Sequence, residues 1–294
     1  MSTSISLNQN KFLKNCSSLV NERQNLPSGT RFLSNGIRQD VIPTMNIIVT
    51  DRPEQAFKKA ADIIACEIHH NPRPVLGLAT GRTMESVYRL LVERYETAML
   101  DFSTTTSFNL DEYVDLLPTD KNSYRHYMQK HLFAHVNMPV AQIHVPNGTA
   151  TDLDAECAEY EANIQGAGGI GLQILGIGNT GHIGFNEPPS PFDSRTRVVH
   201  LDDITRRQNS GMFGNDPSRV PERALTMGVG TILEARKLVL VATGAGKASI
   251  VDVALNGPIN ENVSATAIRL HPDCTVILDD AAASIWKGNR RQGS

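Results

Sequence analysis

The sequence predicts an α/β fold, a doubly wound and mostly parallel sheet with helices on both faces. Short apolar runs alternate along the chain with helix-length segments, which is the pattern of βαβ units. The residues best suited to chemistry fall just behind those runs, where a parallel sheet presents its carboxyl edge. Length and composition agree, since 294 residues with 40% hydrophobic side chains suffice for one large α/β domain.

Taken in order, Met45-Asn-Ile-Ile-Val-Thr opens the folded region with a strand at Ile47–Val49, and a helix follows over Pro53–His69. The apolar run Val75–Leu78 is a buried strand leading to a helix over Met84–Tyr95. Ser107–Leu110 is the next strand, then a helix over Ser123–Ala134, a strand over Gln142–Val145 and a helix over Asp154–Gln165. Leu172–Leu175 and Val198–Leu201 read as strands, Thr226–Ala235 as a helix, and Leu238–Ala242 as a strand followed by a helix over Lys247–Leu255. Val276–Leu278 closes the series.

No repeat, linker or charge block divides residues 45–285, so a single domain is expected there, followed by a C-terminal tail over residues 286–294. Residues 1–44 are rich in Ser, Asn and Arg and lack a hydrophobic period, so they read as an extension, disordered or upstream of a native start at Met45. A formal charge of −3 with interspersed signs argues against a nucleic-acid partner. No apolar run approaches the roughly 20 residues of a membrane helix. Cys16, Cys66, Cys157 and Cys274 are scattered without C-x-x-C spacing, which suggests neither zinc nor a disulfide framework and fits a cytoplasmic location.

Four segments at strand ends carry the candidate chemistry. Thr80-Gly-Arg-Thr83 runs into a helix, where backbone N–H groups and hydroxyls make a phosphate cradle; the alternative is a plain turn with Thr83 as N-cap. Thr243-Gly-Ala-Gly-Lys247 is a second glycine loop opening a helix. Its lysine is misplaced as a cap and better explained as an anion ligand. Asp111-Glu112 ends an apolar strand, where a carboxylate is desolvated into a better base. Gly176–Glu187 is a glycine-dense loop presenting His182 and Glu187 as an acid–base pair. The same loop matches a dinucleotide fingerprint literally, but Pro188, Pro189 and Pro191 forbid the helix that motif requires. His182, Glu187 and Asp111 lack the spacing of a metal site, and His131 with His135 reads as a solvated helix face.

Several strings together resemble the glucosamine-6-phosphate deaminase/isomerase family. They are Leu76-Gly-Leu-Ala-Thr-Gly, Phe108-Asn-Leu-Asp-Glu-Tyr113, Asn122-Ser-Tyr124, Gly178-Asn-Thr-Gly-His-Ile-Gly-Phe-Asn-Glu-Pro188 and Ala224-Leu-Thr-Met-Gly-Val-Gly230, in the family's order. The resemblance spans about Met45 to Ala283 and implies a Rossmann-like fold shared with phosphogluconolactonases. It implies conversion of glucosamine 6-phosphate and water into fructose 6-phosphate and ammonia, with no metal or organic cofactor. By matched position, His182 assists opening of the sugar ring, Asp111 carries a proton between C2 and C1, and Glu187 supports His182. Thr80, Gly81, Thr83 and Lys247 hold the 6-phosphate. The implied partner is the small amino-sugar phosphate; a homo-oligomer is compatible with the chain.

Three positions depart from the family's pattern. Thr180 stands where an acidic residue commonly orients the histidine, and a hydroxyl supplies a hydrogen bond without charge. Gly211 stands where the family has a phosphate-binding arginine. Arg82 occupies a loop position that is usually glycine, and we expect its guanidinium to replace the missing one. Other readings are a related substrate such as galactosamine 6-phosphate, a non-catalytic sugar-phosphate sensor, and a lactonase-like hydrolase.

Overall fold

A computed structural model describes residues 44–292; apart from Thr44, the extension expected over 1–44 lies outside the described residues. The strands are β1 (Thr44–Thr50), β2 (Val75–Leu78), β3 (Thr106–Asn109), β4 (Asp111–Tyr113), β5 (Ile143–His144), β6 (Leu172–Leu175), β7 (Arg197–His200), β8 (Arg223–Thr226), β9 (Leu238–Ala242) and β10 (Asp273–Asp279). The helices are α1 (Pro53–His70), α2 (Arg82–Glu96), α3 (Tyr124–His131), α4 (Leu153–Gly166), α5 (Asp203–Asn209), α6 (Val229–Leu233), α7 (Ala248–Asn256) and α8 (Ser284–Gln292).

Seven strands form one sheet in the order β1-β10-β9-β6-β2-β3-β5, and every pairing in it is parallel. Every residue of β2, β6 and β9 is buried, as parallel strands covered on both faces must be. The chain winds from β2 toward β3 and β5, then returns beside β2 at β6 and continues toward β9 and β10. The order therefore reverses between β2 and β6, the switch point where open α/β sheets leave a crevice.

A second sheet, β4-β8-β7, is antiparallel and corrects two sequence expectations. Val198–Leu201 was expected in the parallel sheet, but β7 pairs only with β8 and is only partly buried. The predicted helix over Thr226–Ala235 is a strand ending at Thr226 and a short helix from Val229. Gly228 explains the break, because a Cβ there would stand 2.1 Å from the Ser194 carbonyl oxygen. The segment expected as a tail is helical through Gln292, and Trp286 is buried in the main core. Cys157 and Cys274 are free and buried.

Candidate active site

Because β9, β6, β2 and β3 are consecutive in the sheet, the segments that follow them stand side by side at one edge. The sequence-predicted residues Lys247, His182, Thr180, Thr80–Thr83 and Asp111 all lie in those segments, around the switch point.

The first anion loop ends at Gly81, whose φ of +111° only glycine adopts at low cost, and α2 begins at Arg82 with no side chain capping it. Thr83 therefore sits inside the first turn and is not the N-cap. Amide N–H groups at this uncapped end suit a phosphate. The Tyr127 hydroxyl donates to the Gly81 carbonyl at 2.8 Å, tying the loop to α3. In the second loop, Ala245–Lys247 form a 3-10 turn leading into α7. The buried Asp279 carboxylate fixes this loop by accepting the Gly244 N–H at 3.0 Å on both oxygens. The Lys247 ammonium donates to Asn179 Oδ1 at 2.6 Å, joining this loop to the histidine loop, and burial lowers its pKa.

Asp111 is the first residue of β4, paired with Thr226. It is 6% exposed, and burial followed by the neighbouring Glu112 pushes its pKa up to about 8. The histidine loop comes against it at Gly184, where φ is +57° and a Cβ would stand 2.9 Å from Thr226 Oγ1 and 3.5 Å from Asp111 Oδ2. A base with this proton affinity is poised for transfer near neutral pH.

His182 lies over Gly178, where a Cβ would come within 2.1 Å of the ring nitrogen Nε2, so glycine is obligatory. Its Nδ1 shares a hydrogen bond with Thr180 Oγ1 at 2.8 Å. Burial, reinforced by Lys247, pulls the imidazole pKa down to about 4, so the ring is neutral at neutral pH. A neutral imidazole with Nδ1 engaged leaves Nε2 as the atom able to exchange a proton.

Among the described residues no direct hydrogen bond joins the side chains of Glu187 and His182, and Asp202 bears on both. Glu187 Oε2 accepts the Asp202 N–H at 2.8 Å, while Oε1 is buried without a partner. Burial raises its pKa, opposed by Thr205. No helix lies between β6 and β7, where the chain carries Pro188, Pro189 and Pro191, as the rejection of the dinucleotide motif requires. Glu187 lines a groove of about 430 Å³ together with Pro191, Arg197, Val199 and Asp202.

Sequence reasoning missed the residues that hold the loop. Asn186 is fully buried and donates to the carbonyls of Ile183 and Met227 at 2.9 and 2.7 Å. Ser264 Oγ donates to the Asn186 carbonyl at 2.8 Å. An amide inside an otherwise apolar Ile-Gly-Phe-Asn run was the available signal for Asn186; Ser264, distant in sequence, offered none. Among the described residues no group of three or more His, Cys, Asp and Glu side chains is placed to hold a metal, and His135 Nε2 is engaged with the Lys130 carbonyl at 2.9 Å.

Residues 51–277 match the family described as glucosamine-6-phosphate isomerases/6-phosphogluconolactonase. The chain belongs to this family. A glucosamine-6-phosphate deaminase of Bacillus velezensis is 48% identical over 241 residues, covering 81% of this chain and 99% of that protein. One of Rhodopirellula baltica is 47% identical over 244 residues, covering 83% of this chain and 97% of its own. A solved structure of a monomeric glucosamine-6-phosphate deaminase superposes with a TM-score of 0.80 at 43% identity, covering 82% of this chain and all of that one. The 6-phosphogluconolactonase of Trypanosoma cruzi shares the fold alone, at a TM-score of 0.64 and 20% identity. In this structure Thr180 is bonded to the histidine, Arg82 is exposed at the start of α2, and Gly211 is exposed in the 3-10 turn Ser210–Phe213, whose Phe213 is buried.

Proposed function

We propose that this protein is a glucosamine-6-phosphate deaminase, converting glucosamine 6-phosphate and water to fructose 6-phosphate and ammonia. The observation that carries the reading is Asp111, a buried carboxylate of raised proton affinity facing the histidine loop beside two uncapped helix starts. The 6-phosphate lies on the N–H groups and hydroxyls of Thr80, Gly81 and Thr83, with Lys247 opposite. Neutral His182 moves the proton that opens the pyranose ring, held in orientation by Thr180. Asp111 then takes the proton from C2 and returns it to C1. The resulting C2 imine is hydrolysed by water, which expels ammonia and leaves the ketose. Glu187 supports His182 and takes part in the ring-opening proton transfer, held by its anchor at Asp202. No cofactor enters these steps.

Arg82 is proposed to supply the guanidinium that position 211 lacks. Arg82→Ala is expected to raise KM for the sugar phosphate at least about tenfold, the scale of a lost charge-assisted hydrogen bond, with kcat little changed. An unchanged KM would remove Arg82 from the site.

The proposed location is cytoplasmic, in keeping with relatives named glucosamine-6-phosphate deaminase; among the described residues no helix is long and apolar enough to cross a membrane. A solved relative 43% identical to this chain is described as monomeric, which supports a site completed within one protomer. Incubation with glucosamine 6-phosphate and, separately, galactosamine 6-phosphate tests the assignment by ammonia release. Release from the first supports it, release from the second alone reassigns the substrate, and release from neither refutes deamination.

A further inference from the structure

Glu112 follows Asp111 directly in β4, and its own side chain is 3% exposed. A buried carboxylate survives ionised only where donors replace water. Glu112 has three: Oε1 accepts the N–H groups of Tyr113 at 2.9 Å and Tyr124 at 2.8 Å, and Oε2 accepts that of Arg125 at 2.9 Å. Two of these donors open α3, so the carboxylate sits at the positive end of that helix. This is more support than a structural cap needs, since Ser123 already caps α3 by accepting the His126 N–H at 3.0 Å.

We propose that Glu112 is a positioning residue for the reaction: a buried, fixed negative charge that sets the basicity of Asp111 next to it. The inference rests on the reading of Asp111 as the base. The ionisable groups whose charge reaches Asp111 are Glu112 and Tyr113 on its own strand, Tyr88 of α2, Tyr124 of α3 and Tyr160 of α4. His182 lies on the loop that meets Asp111 at Gly184. The tyrosines are all pushed above their ordinary values by burial and stay neutral, and His182 is neutral above about pH 4. Arg125 is the cation facing Glu112. Burial raises the Glu112 pKa, opposed by the N–H groups of Tyr124, Arg125 and Tyr113 and by the Arg125 cation; with those three donors replacing water, Glu112 is the carboxylate whose charge bears on Asp111 as Asp111 titrates. Its repulsion disfavours the ionised form of Asp111, which as a base then binds the C2 proton more tightly.

The test is the pH profile of kcat/KM for ammonia release, whose acid limb reports the free base. In the wild type the limb is expected near pH 8, where Asp111 titrates. Glu112→Gln should move it down by roughly one pH unit, the scale of losing one like charge at close range. Glu112→Asp keeps the charge and should keep the limb in place even if kcat falls. A purely structural role predicts lower activity in both variants with no movement of the limb, and that result overturns the proposal. Where Glu112→Gln does not fold, 13C titration of the Glu112 carboxyl in the wild type keeps the proposal testable: Glu112 ionised before Asp111 titrates supports it, and Glu112 still protonated where Asp111 titrates overturns it. Carboxyl 13C titration of Asp111 in the same proteins reads the effect without turnover. A wild type that releases no ammonia thus sinks the functional reading, while an active wild type with an immovable limb sinks this one.

Discussion

Burial acts on Asp111 and His182 in opposite senses, holding the acid protonated to about pH 8 and the imidazole neutral down to about pH 4. For Asp111 the folded value lies above the ordinary 3.8, so the folded state binds the proton more tightly than the unfolded one. Stability contributed there is present below pH 3.8 and is lost as pH rises toward 8. Asp111→Asn removes that cost and should stabilise the protein at pH 8 by on the order of 2–5 kcal/mol, read as a higher Tm than wild type. An equal or lower Tm at that pH would show that the carboxylate is better solvated than its burial indicates. His182 has the reverse sign, and its contribution grows between about pH 4 and 6.5. Thr180 gives the imidazole a partner without a charge. Thr180→Ala should lower kcat by roughly threefold to tenfold, the loss of one neutral hydrogen bond of about 1 kcal/mol, with KM unchanged. A larger rise in KM than fall in kcat would place Thr180 in binding instead.

At the scale of elements, what was legible in the sequence follows from burial. β2, β6 and β9 are continuous apolar runs because a doubly covered parallel strand tolerates little else, and they were found at their positions. β4 was not, since Asp111-Glu-Tyr113 is too short and polar to read as a strand without its partner β8. The break at Gly228 was invisible because it comes from the Ser194 backbone, 34 positions away in the chain. Likewise the histidine loop was legible from its glycines, while the Glu187 anchor at Asp202 was not. The joint between the loop and the small sheet is testable at Gly184. Gly184→Ala combines an unfavourable φ of +57° with a contact 2.9 Å from Thr226 Oγ1. It should lower kcat at least about tenfold by displacing His182 from Asp111, with the far-UV spectrum unchanged. Wild-type turnover in that variant would show that the approach of loop to base is dispensable.

For the whole molecule, the sheet order does the assembling. Reversal of winding between β2 and β6 places the Thr80–Thr83 and Thr243–Lys247 loops, Asp111 and His182, from four separated stretches of sequence, along one edge. The small antiparallel sheet then buries Asp111 against Thr226. The most direct measurement is ammonia released from glucosamine 6-phosphate by the wild type and by Asp111→Asn under identical conditions. The wild type is predicted to release ammonia and fructose 6-phosphate in equal amounts, with Asp111→Asn slower by roughly 10² to 10⁴, the usual worth of a general base. Comparable turnover by a folded Asp111→Asn, or none by the wild type, would contradict the assignment.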